Sequence, residues 1–383
     1  MRGRKFLLAL FAFLVGLLLC EGLVAWLYPQ LFVRPKVWQF DQKLGWAHVP
    51  DASGRLIKPE FDVEYRINSF GLRDREYSRL KPPGTRRLLI FGDSFAEGWG
   101  VQMEETVGRR LERELNSTQP DFANQVLNFG VAGFGTDQEL LYFDQLGRHY
   151  EPDHILLLFY PNDLLNNLSK RGIGAERGFK PYFTLDSPGN LNLRGVPVRR
   201  SAFWNDDVSG QLPWSLSLLR YVTRNWHLAA LISNSFPAPL SPGQSQMFYD
   251  ALYGTRPDAR TARMWHLSAK VLEAFRDRVV AAGADLHLVY VPSIVQVEDA
   301  DWQRKRQLNG LRGEFDLAKP NRELASISAR NDNPLLDLYP AFKRSEEKLY
   351  YDESHWNRTG HRLAAQVIAA YLRTSVAPQV EGH

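Results

Sequence analysis

An apolar strand followed at once by a glycine, an acid and a serine occupies residues 86–95, RRLLIFGDSF. The run 88–91 is unbroken and apolar, which is typical of a strand buried on both faces of a parallel sheet. Gly92 allows a tight turn directly after it. Ser94 therefore stands where a strand gives way to a helix, at the edge of an open α/β sheet where reactive side chains gather.

Buried strands and amphipathic helices alternate along much of the remaining chain. Further apolar runs predict strands at 126–129, 154–160, 286–291 and 335–338. Helices are predicted around 104–115, 137–146, 259–282, 303–330 and 357–374. This alternation predicts an α/β fold, a three-layer sandwich with a five-stranded parallel sheet of flavodoxin-like type.

The N-terminus predicts a membrane anchor. Residues 6–28 contain one charged residue, Glu21, and a helix of that length, at about 1.5 Å per residue, crosses a hydrocarbon core of about 30 Å. Three basic residues within 1–5 predict that this end is cytoplasmic and that the remainder is exported. A cleaved signal peptide and a lipoprotein modified at Cys20 are the alternatives, although each has a poorly matching cleavage site.

Other segments interrupt or flank the alternating pattern. Residues 29–85 form an exported N-terminal segment with short antiparallel strands, for example at 64–67. Residues from about 164 to 258 lack a clear period and are predicted to be an insertion in the α/β domain. Residues 376–383 are a C-terminal tail.

Composition excludes several classes of protein and site. The chain has 383 residues, 44% hydrophobic and 23% charged, so it is neither disordered nor collagen-like. Its net charge is +4, and the three basic residues near the N-terminus account for most of it. The small charge that remains argues against nucleic acid as a partner. A single cysteine excludes an intrachain disulfide and a cysteine zinc site. No cofactor or metal is predicted, because the histidines on strands and helices lack ligand spacing: His149, His154, His266 and His287.

Residues required for acyl transfer follow the predicted strands. A serine is a weak nucleophile until an imidazole takes its proton, and the imidazole needs a carboxylate to fix its tautomer. We assign Ser94 as nucleophile, His355 as general base and Asp352 as the orienting carboxylate. The three-residue gap between Asp352 and His355 predicts that both lie on one turn before the last helix.

A tetrahedral oxyanion needs preorganised hydrogen-bond donors. The predicted donors are the backbone N–H groups of Ser94 and Gly133 and the side-chain amide of Asn162. Asp93 is predicted to brace the nucleophile turn, and Asp163 is open between a structural and a chemical role. Two tryptophans near the site, Trp99 and Trp356, could stack on a sugar ring, with core packing as the alternative.

These blocks resemble the SGNH (GDSL-type) hydrolase family, whose name lists the residue types that match Ser94, Gly133, Asn162 and His355. The resemblance covers 86–163 and about 259–375, which places the hydrolase domain at 86–375 with the insertion inside it. This sequence departs from the family pattern at two positions. Phe95 replaces the usual leucine, and Tyr160 replaces the glycine two residues before the block-three asparagine.

Residues 67–73, INSFGLR, resemble a stretch of membrane-anchored bacterial members of the group. The resemblance implies a single-pass protein of the bacterial inner membrane with its catalytic domain in the periplasm. It implies a serine esterase that removes an acyl group, O-acetyl first among the candidates, from an acylated small molecule or an envelope glycan. The alternatives are an O-acyltransferase, a lipase or lysophospholipase, and a non-catalytic glycan-binding scaffold.

Overall fold

A computed structural model describes residues 2–27, 35–118, 123–172, 178–200, 226–235, 242–256 and 258–375. The strands are β1 (Trp38–Asp41), β2 (Gly45–His48), β3 (Ser53–Lys58), β4 (Phe61–Arg66), β5 (Thr85–Phe91), β6 (Ala123–Asn128), β7 (His154–Phe159), β8 (Tyr182–Leu185), β9 (Leu191–Arg194), β10 (Asp285–Tyr290) and β11 (Leu335–Asp337). The helices are α1 (Arg2–Leu27), α2 (Ser94–Glu97), α3 (Val107–Thr118), α4 (Thr136–Gln145), α5 (Asp163–Leu168), α6 (His227–Ser235), α7 (Pro242–Tyr253), α8 (Ala259–Ala281), α9 (Ile294–Val297), α10 (Asp299–Leu308), α11 (Lys319–Arg330), α12 (Tyr339–Arg344) and α13 (Arg358–Ser375).

The central sheet has five parallel strands in the order β11-β10-β7-β5-β6. This confirms the predicted strands and their direction. The chain leaves β5 for β6 on one side and then crosses to β7 on the other, so β5 lies at the point where the strand order reverses. The loops after β5, β6 and β7 therefore meet at the carboxyl edge, where open α/β sheets bind ligands.

Helices cover both faces of the sheet. Consecutive strand residues point to opposite faces, and Ile90 and Phe91 show which helices lie on each. A Cβ on Gly108 of α3 would lie 3.5 Å from Ile90 Cδ1. The ring of Phe91 instead lies 6.0 Å from that of Phe143 in α4 and 5.8 Å from that of Phe275 in α8. The predicted three-layer sandwich is thereby confirmed.

One helix among the described residues, Gly3–Leu27, is long and apolar enough to cross a membrane. Its one acidic residue, Glu21, accepts hydrogen bonds from the backbone N–H groups of His227 and Leu228, at 2.6 and 2.7 Å. These are the unpaired donors at the start of α6, so the carboxylate caps that helix.

Two antiparallel hairpins, β1–β2 and β3–β4, precede the sheet, as predicted for this segment. They do not form a separate layer. Their apolar side chains share one buried cluster with residues of the α/β body, including Trp99 and Ala132. The hairpins are therefore packed against the loops that follow β5 and β6.

The described parts of the predicted insertion contain α5, the antiparallel hairpin β8–β9, α6 and α7. The boundaries at about 164 and 258 stay a prediction. The predicted tail, 376–383, lies outside the described residues.

Candidate active site

The nucleophile turn follows directly from the end of β5. Asp93 caps α2, since its side chain accepts a hydrogen bond from Phe95 N at 2.9 Å. Gly130, after β6, packs so closely on this short helix that a Cβ there would lie 2.2 Å from Glu97 N. Asp93 thus has the bracing position that was predicted for it, and Ser94 stands at the first position of α2.

Ser94 and His355 lie in hydrogen-bond contact although 261 positions separate them. Ser94 Oγ is 2.8 Å from His355 Nε2. The serine is 9% exposed and the imidazole 27% exposed, so solvent reaches the pair from one side. An imidazole nitrogen at this distance from a hydroxyl can accept its proton during nucleophilic attack.

The carboxylate beside the imidazole belongs to Glu353. Its Oε1 lies 2.8 Å from His355 Nδ1. The predicted contact of Asp352 with the imidazole is wrong: Asp352 pairs with Lys348 at 2.7 Å, and its side chain is 73% exposed. That hydrogen bond lowers the pKa of Asp352, and the exposure of the side chain makes this carboxylate a solvated surface group.

The local backbone explains the error. The prediction placed Asp352 and His355 on one turn before the last helix, and α13 does start close to the predicted position, at Arg358. The segment before it closes as a loop in which Tyr351 N donates to His355 O at 2.8 Å. Ser354 has a φ of +85°, in the left-handed region. In this loop the residue two before the histidine faces the imidazole, and the residue three before it faces solvent.

Lys58, at the end of β3, contacts the other oxygen of the same carboxylate. Its ammonium forms an ion pair with Glu353 Oε2, and it also lies 5.4 Å from the centre of the Trp99 ring. Glu353 is thus held between an ammonium and an imidazole. Sequence reasoning missed Lys58, because only tertiary packing of the hairpin brings it to the site.

The predicted oxyanion donors lie on the loops after three adjacent strands. Gly133 has a φ of +77°, a conformation that favours glycine. Asn162 Nδ2 donates to Asp93 Oδ2 at 3.0 Å. An amide nitrogen carries two hydrogens, so one remains for an oxyanion. The same bond links the loop after β7 to the nucleophile turn.

Both tryptophans predicted to stack on a sugar are buried. Trp356 is fully buried and packs edge-on against Phe95, with ring centres 5.0 Å apart. Trp99 is 8% exposed, and its ring centre lies 5.6 Å from that of His355. The sugar-stacking expectation is wrong for both, because the faces that a sugar would use are covered by protein. Trp99 instead packs beside the imidazole of His355.

Buried acids lie behind the nucleophile turn. Burial raises the pKa of Glu139 and of Asp163 well above their ordinary values, and the nearby carboxylate of Asp93 adds to both shifts. Asp163 Oδ2 accepts a hydrogen bond from Tyr160 N at 2.9 Å, so this acid closes the turn after β7. Asp137 forms a fully buried ion pair with Lys180.

Arg73 braces the nucleophile helix from the hairpin side. Its guanidinium is 1% exposed and donates to the carbonyl oxygens of Glu97, Gly98 and Val101. His48 Nε2 lies 2.6 Å from Glu97 Oε1, which adds a second link. The N-terminal segment, for which the sequence suggested no role, therefore supports the serine helix directly.

Two of the four histidines that lack metal-ligand spacing in the sequence lie together in the structure. His154 and His287 come together with Asp285 on β7 and β10, with potential ligand atoms all within 4.8 Å of one another. His149 and His266 are exposed, as isolated surface histidines would be.

Two family models match parts of the chain. Residues 88–185 match a model described as GDSL-like lipase/acylhydrolase. Residues 246–383 match a model described as the SGNH hydrolase-like domain of the acetyltransferase AlgX. A comparison with curated proteins found no significant match.

Several solved structures are similar to parts of this chain. One is Axe2, an acetylxylan esterase from Geobacillus stearothermophilus, with 12% identity, 76% of this chain and 94% of that chain covered, and a TM-score of 0.40. Another is the psychrotrophic esterase EstA from Pseudoalteromonas sp., with 15% identity, 76% and 98% covered, and a TM-score of 0.38. A third is a lipase/acylhydrolase from Enterococcus faecalis, with 11% identity, 76% and 96% covered, and a TM-score of 0.39.

Proposed function

Since the chain belongs to the SGNH (GDSL-type) hydrolases, enzymes that act on carboxylic esters, we propose that Ser94, His355 and Glu353 form its catalytic triad. The observation that carries the proposal is the continuous chain of contacts from the serine hydroxyl through the imidazole to the carboxylate, each 2.8 Å long. Asp352, the carboxylate favoured by spacing, is not a member.

The contacts support an acyl-enzyme mechanism. His355 Nε2 takes the proton of Ser94 as Oγ attacks the acyl carbon, and Glu353 holds the opposite N–H and stabilises the imidazolium. The backbone N–H groups of Ser94 and Gly133, with the free hydrogen of Asn162, are the proposed oxyanion donors. His355 then protonates the leaving alcohol, and water releases the acyl group from the serine.

The substrate we propose is an O-acetyl ester on an envelope glycan, reached by a domain anchored through α1 on the periplasmic side of a bacterial inner membrane. Support comes from the apolar helix and from the basic residues before it. The bulky rings of Trp99 and Phe95, which both lie beside the imidazole, agree with a small acyl group.

A second candidate, O-acetyl transfer, uses the same acyl-enzyme with a sugar hydroxyl in place of water. The match of residues 246–383, which include His355, to an acetyltransferase domain favours it. The two activities differ only in the acceptor that attacks the acyl-serine.

Labelling by a fluorophosphonate tests the triad. We expect wild-type protein in detergent to react and Ser94→Ala to stay unlabelled. Unlabelled but folded wild-type protein would contradict the proposal and favour a non-catalytic scaffold.

Product analysis separates the remaining functions. Purified enzyme is incubated with 4-nitrophenyl acetate with and without an unacetylated oligosaccharide. Free acetate alone supports the esterase, whereas acetylated sugar supports the transferase. Faster turnover of C16 than of C2 esters would instead indicate a lipase.

A further inference from the structure

A second cluster of histidine and carboxylate lies at the amino end of the sheet. His154 is the first residue of β7, Asp285 is the first residue of β10, and His287 follows two positions later. The two strands are neighbours with Asp285 opposite His154. Because strand residues alternate between faces, the register puts all three side chains on the same face.

The separations between the polar atoms match those around one metal ion. His287 Nε2 lies 3.4 Å from His154 Nδ1, and Asp285 Oδ2 lies 3.5 Å from the same nitrogen. Zinc bonds to imidazole nitrogens are about 2.0–2.1 Å, so two ligands at tetrahedral angles stand about 3.3–3.4 Å apart. The third separation, between Asp285 and His287, is within 4.8 Å, and the exposed aspartate can turn.

The outer nitrogen of the His287 ring has a hydrogen-bond partner in the last helix. Tyr371 of α13 lies with its hydroxyl 3.0 Å from His287 Nδ1, which leaves Nε2 for a ligand bond.

The two nearby cations each have a polar partner. Lys81 forms an ion pair with Asp153, and Arg86 Nε donates to Asn124 Oδ1 at 2.7 Å. The carboxylate of Asp285 therefore supplies the negative charge that faces the two imidazoles.

We propose that His154, His287 and Asp285 bind a divalent transition metal of the Zn²⁺ class, with water as the fourth ligand. Nitrogen and carboxylate donors suit this class better than Mg²⁺ or Ca²⁺, which prefer oxygen. The ion ties β7 to β10 at the edge opposite Ser94. A six-residue strand spans about 20 Å, so the role is structural and independent of the proposed triad.

Metal binding to the full chain in detergent, with any affinity tag removed, tests this proposal. The protein is stripped with chelator, freed of chelator and titrated with Zn²⁺ by calorimetry and with Co²⁺ by visible absorption. We expect one equivalent of each ion to bind, and Co²⁺ to show the intense bands of four-coordinate geometry.

The variants separate this site from surface histidines. Asp285→Asn, at an exposed position, is expected to weaken Zn²⁺ binding at least tenfold, and His287→Gln to abolish it, while His266→Gln binds as wild type does. Absence of bound metal, or equal affinity in wild type and Asp285→Asn, would overturn the proposal even if His287→Gln failed to fold.

Discussion

The two ends of the central sheet both place histidine beside carboxylate, yet they present opposite surroundings to the imidazole. At the carboxyl end, His355 lies between a carboxylate and the hydroxyl of Ser94. At the amino end, His154 lies between a carboxylate and a second imidazole. The first arrangement can move a proton from a nucleophile, whereas the second offers lone pairs to a cation. The group that faces the imidazole nitrogen, a hydroxyl at one end and a second imidazole at the other, therefore decides what each site can do chemically.

The elements that supply the residues differ as well. The carboxyl end uses loops, which can bring residues together from distant parts of the chain. The amino end uses the strands themselves, so the ladder fixes the side-chain positions. We expect changes at the carboxyl end to affect turnover and those at the amino end to affect stability.

Loss of the imidazole at the carboxyl end gives the largest expected effect. His355→Ala should lower ester turnover by about 10³–10⁴-fold, because the serine then has no base. The side chain is partly exposed, so the midpoint of thermal unfolding should barely move. Turnover near the wild-type rate, measured with 4-nitrophenyl acetate, would contradict the assigned base.

A matched pair of variants tests which carboxylate acts. Glu353→Gln should lower kcat by about 10²–10⁴-fold, since the amide cannot stabilise the imidazolium. Asp352→Asn removes an equal charge one residue away and should leave kcat within about twofold, because this side chain is hydrogen-bonded to Lys348 and not to the imidazole. A larger loss of kcat in Asp352→Asn than in Glu353→Gln would support Asp352, the carboxylate predicted from spacing.

Lys58 should have a smaller effect than the triad. Lys58→Met removes the ammonium that holds Glu353, and we expect kcat to fall about tenfold, less than the roughly 10²-fold that a misplacement of 1 Å can cost. Lys58→Arg should recover most of kcat with KM unchanged. Equal losses in both variants, or a change confined to KM, would assign Lys58 another role.

Removal of metal tests whether the two ends are independent. Chelation of the full chain should lower the midpoint of thermal unfolding by about 4 °C, since a ligand that binds only the folded state stabilises it. Ester turnover at 25 °C should stay unchanged. Loss of turnover on chelation, restored by Zn²⁺, would show that the ends are coupled.

A pH-dependent effect on stability is expected from the acids behind the nucleophile. The raised pKa of Glu139 means that the folded chain keeps a proton that the unfolded chain loses above about pH 4.5, so the unfolding free energy falls as pH rises past that value. Glu139→Gln should remove this loss, at about 1.4 kcal/mol for each unit of pKa elevation. Denaturant unfolding of wild type and Glu139→Gln at pH 4 and pH 8 measures this difference. An equal change in unfolding free energy at the two pH values would argue against a raised pKa of Glu139.

The sequence predicted the sheet because unbroken apolar runs such as those of β5 and β7 have few alternatives to burial on both faces. It located Ser94 and His355 because strand ends converge on one edge. It failed where geometry is decided by a few backbone angles. In the loop that contains the left-handed Ser354, Glu353 and not Asp352 faces the imidazole, and no rule based on spacing contains that information.

Contacts between separate elements were equally hidden. Spacing along the chain cannot show that His154 and His287 meet, because the sheet ladder joins strands more than a hundred residues apart. Closeness in sequence to Ser94 and His355 leaves Trp99 and Trp356 open between sugar stacking and core packing, because it does not show which side chains are buried. Lys58 reaches the site only because the β3–β4 hairpin packs against the α/β body.

The position of Arg73 has a practical consequence for any water-soluble version of the enzyme. A chain that began at Thr85, the start of the first sheet strand, would still contain every residue matched by the two family models. It would nevertheless leave the carbonyl oxygens of Glu97, Gly98 and Val101 without their buried donor, next to Ser94. Cutting ahead of Pro35 removes the apolar helix and keeps this support.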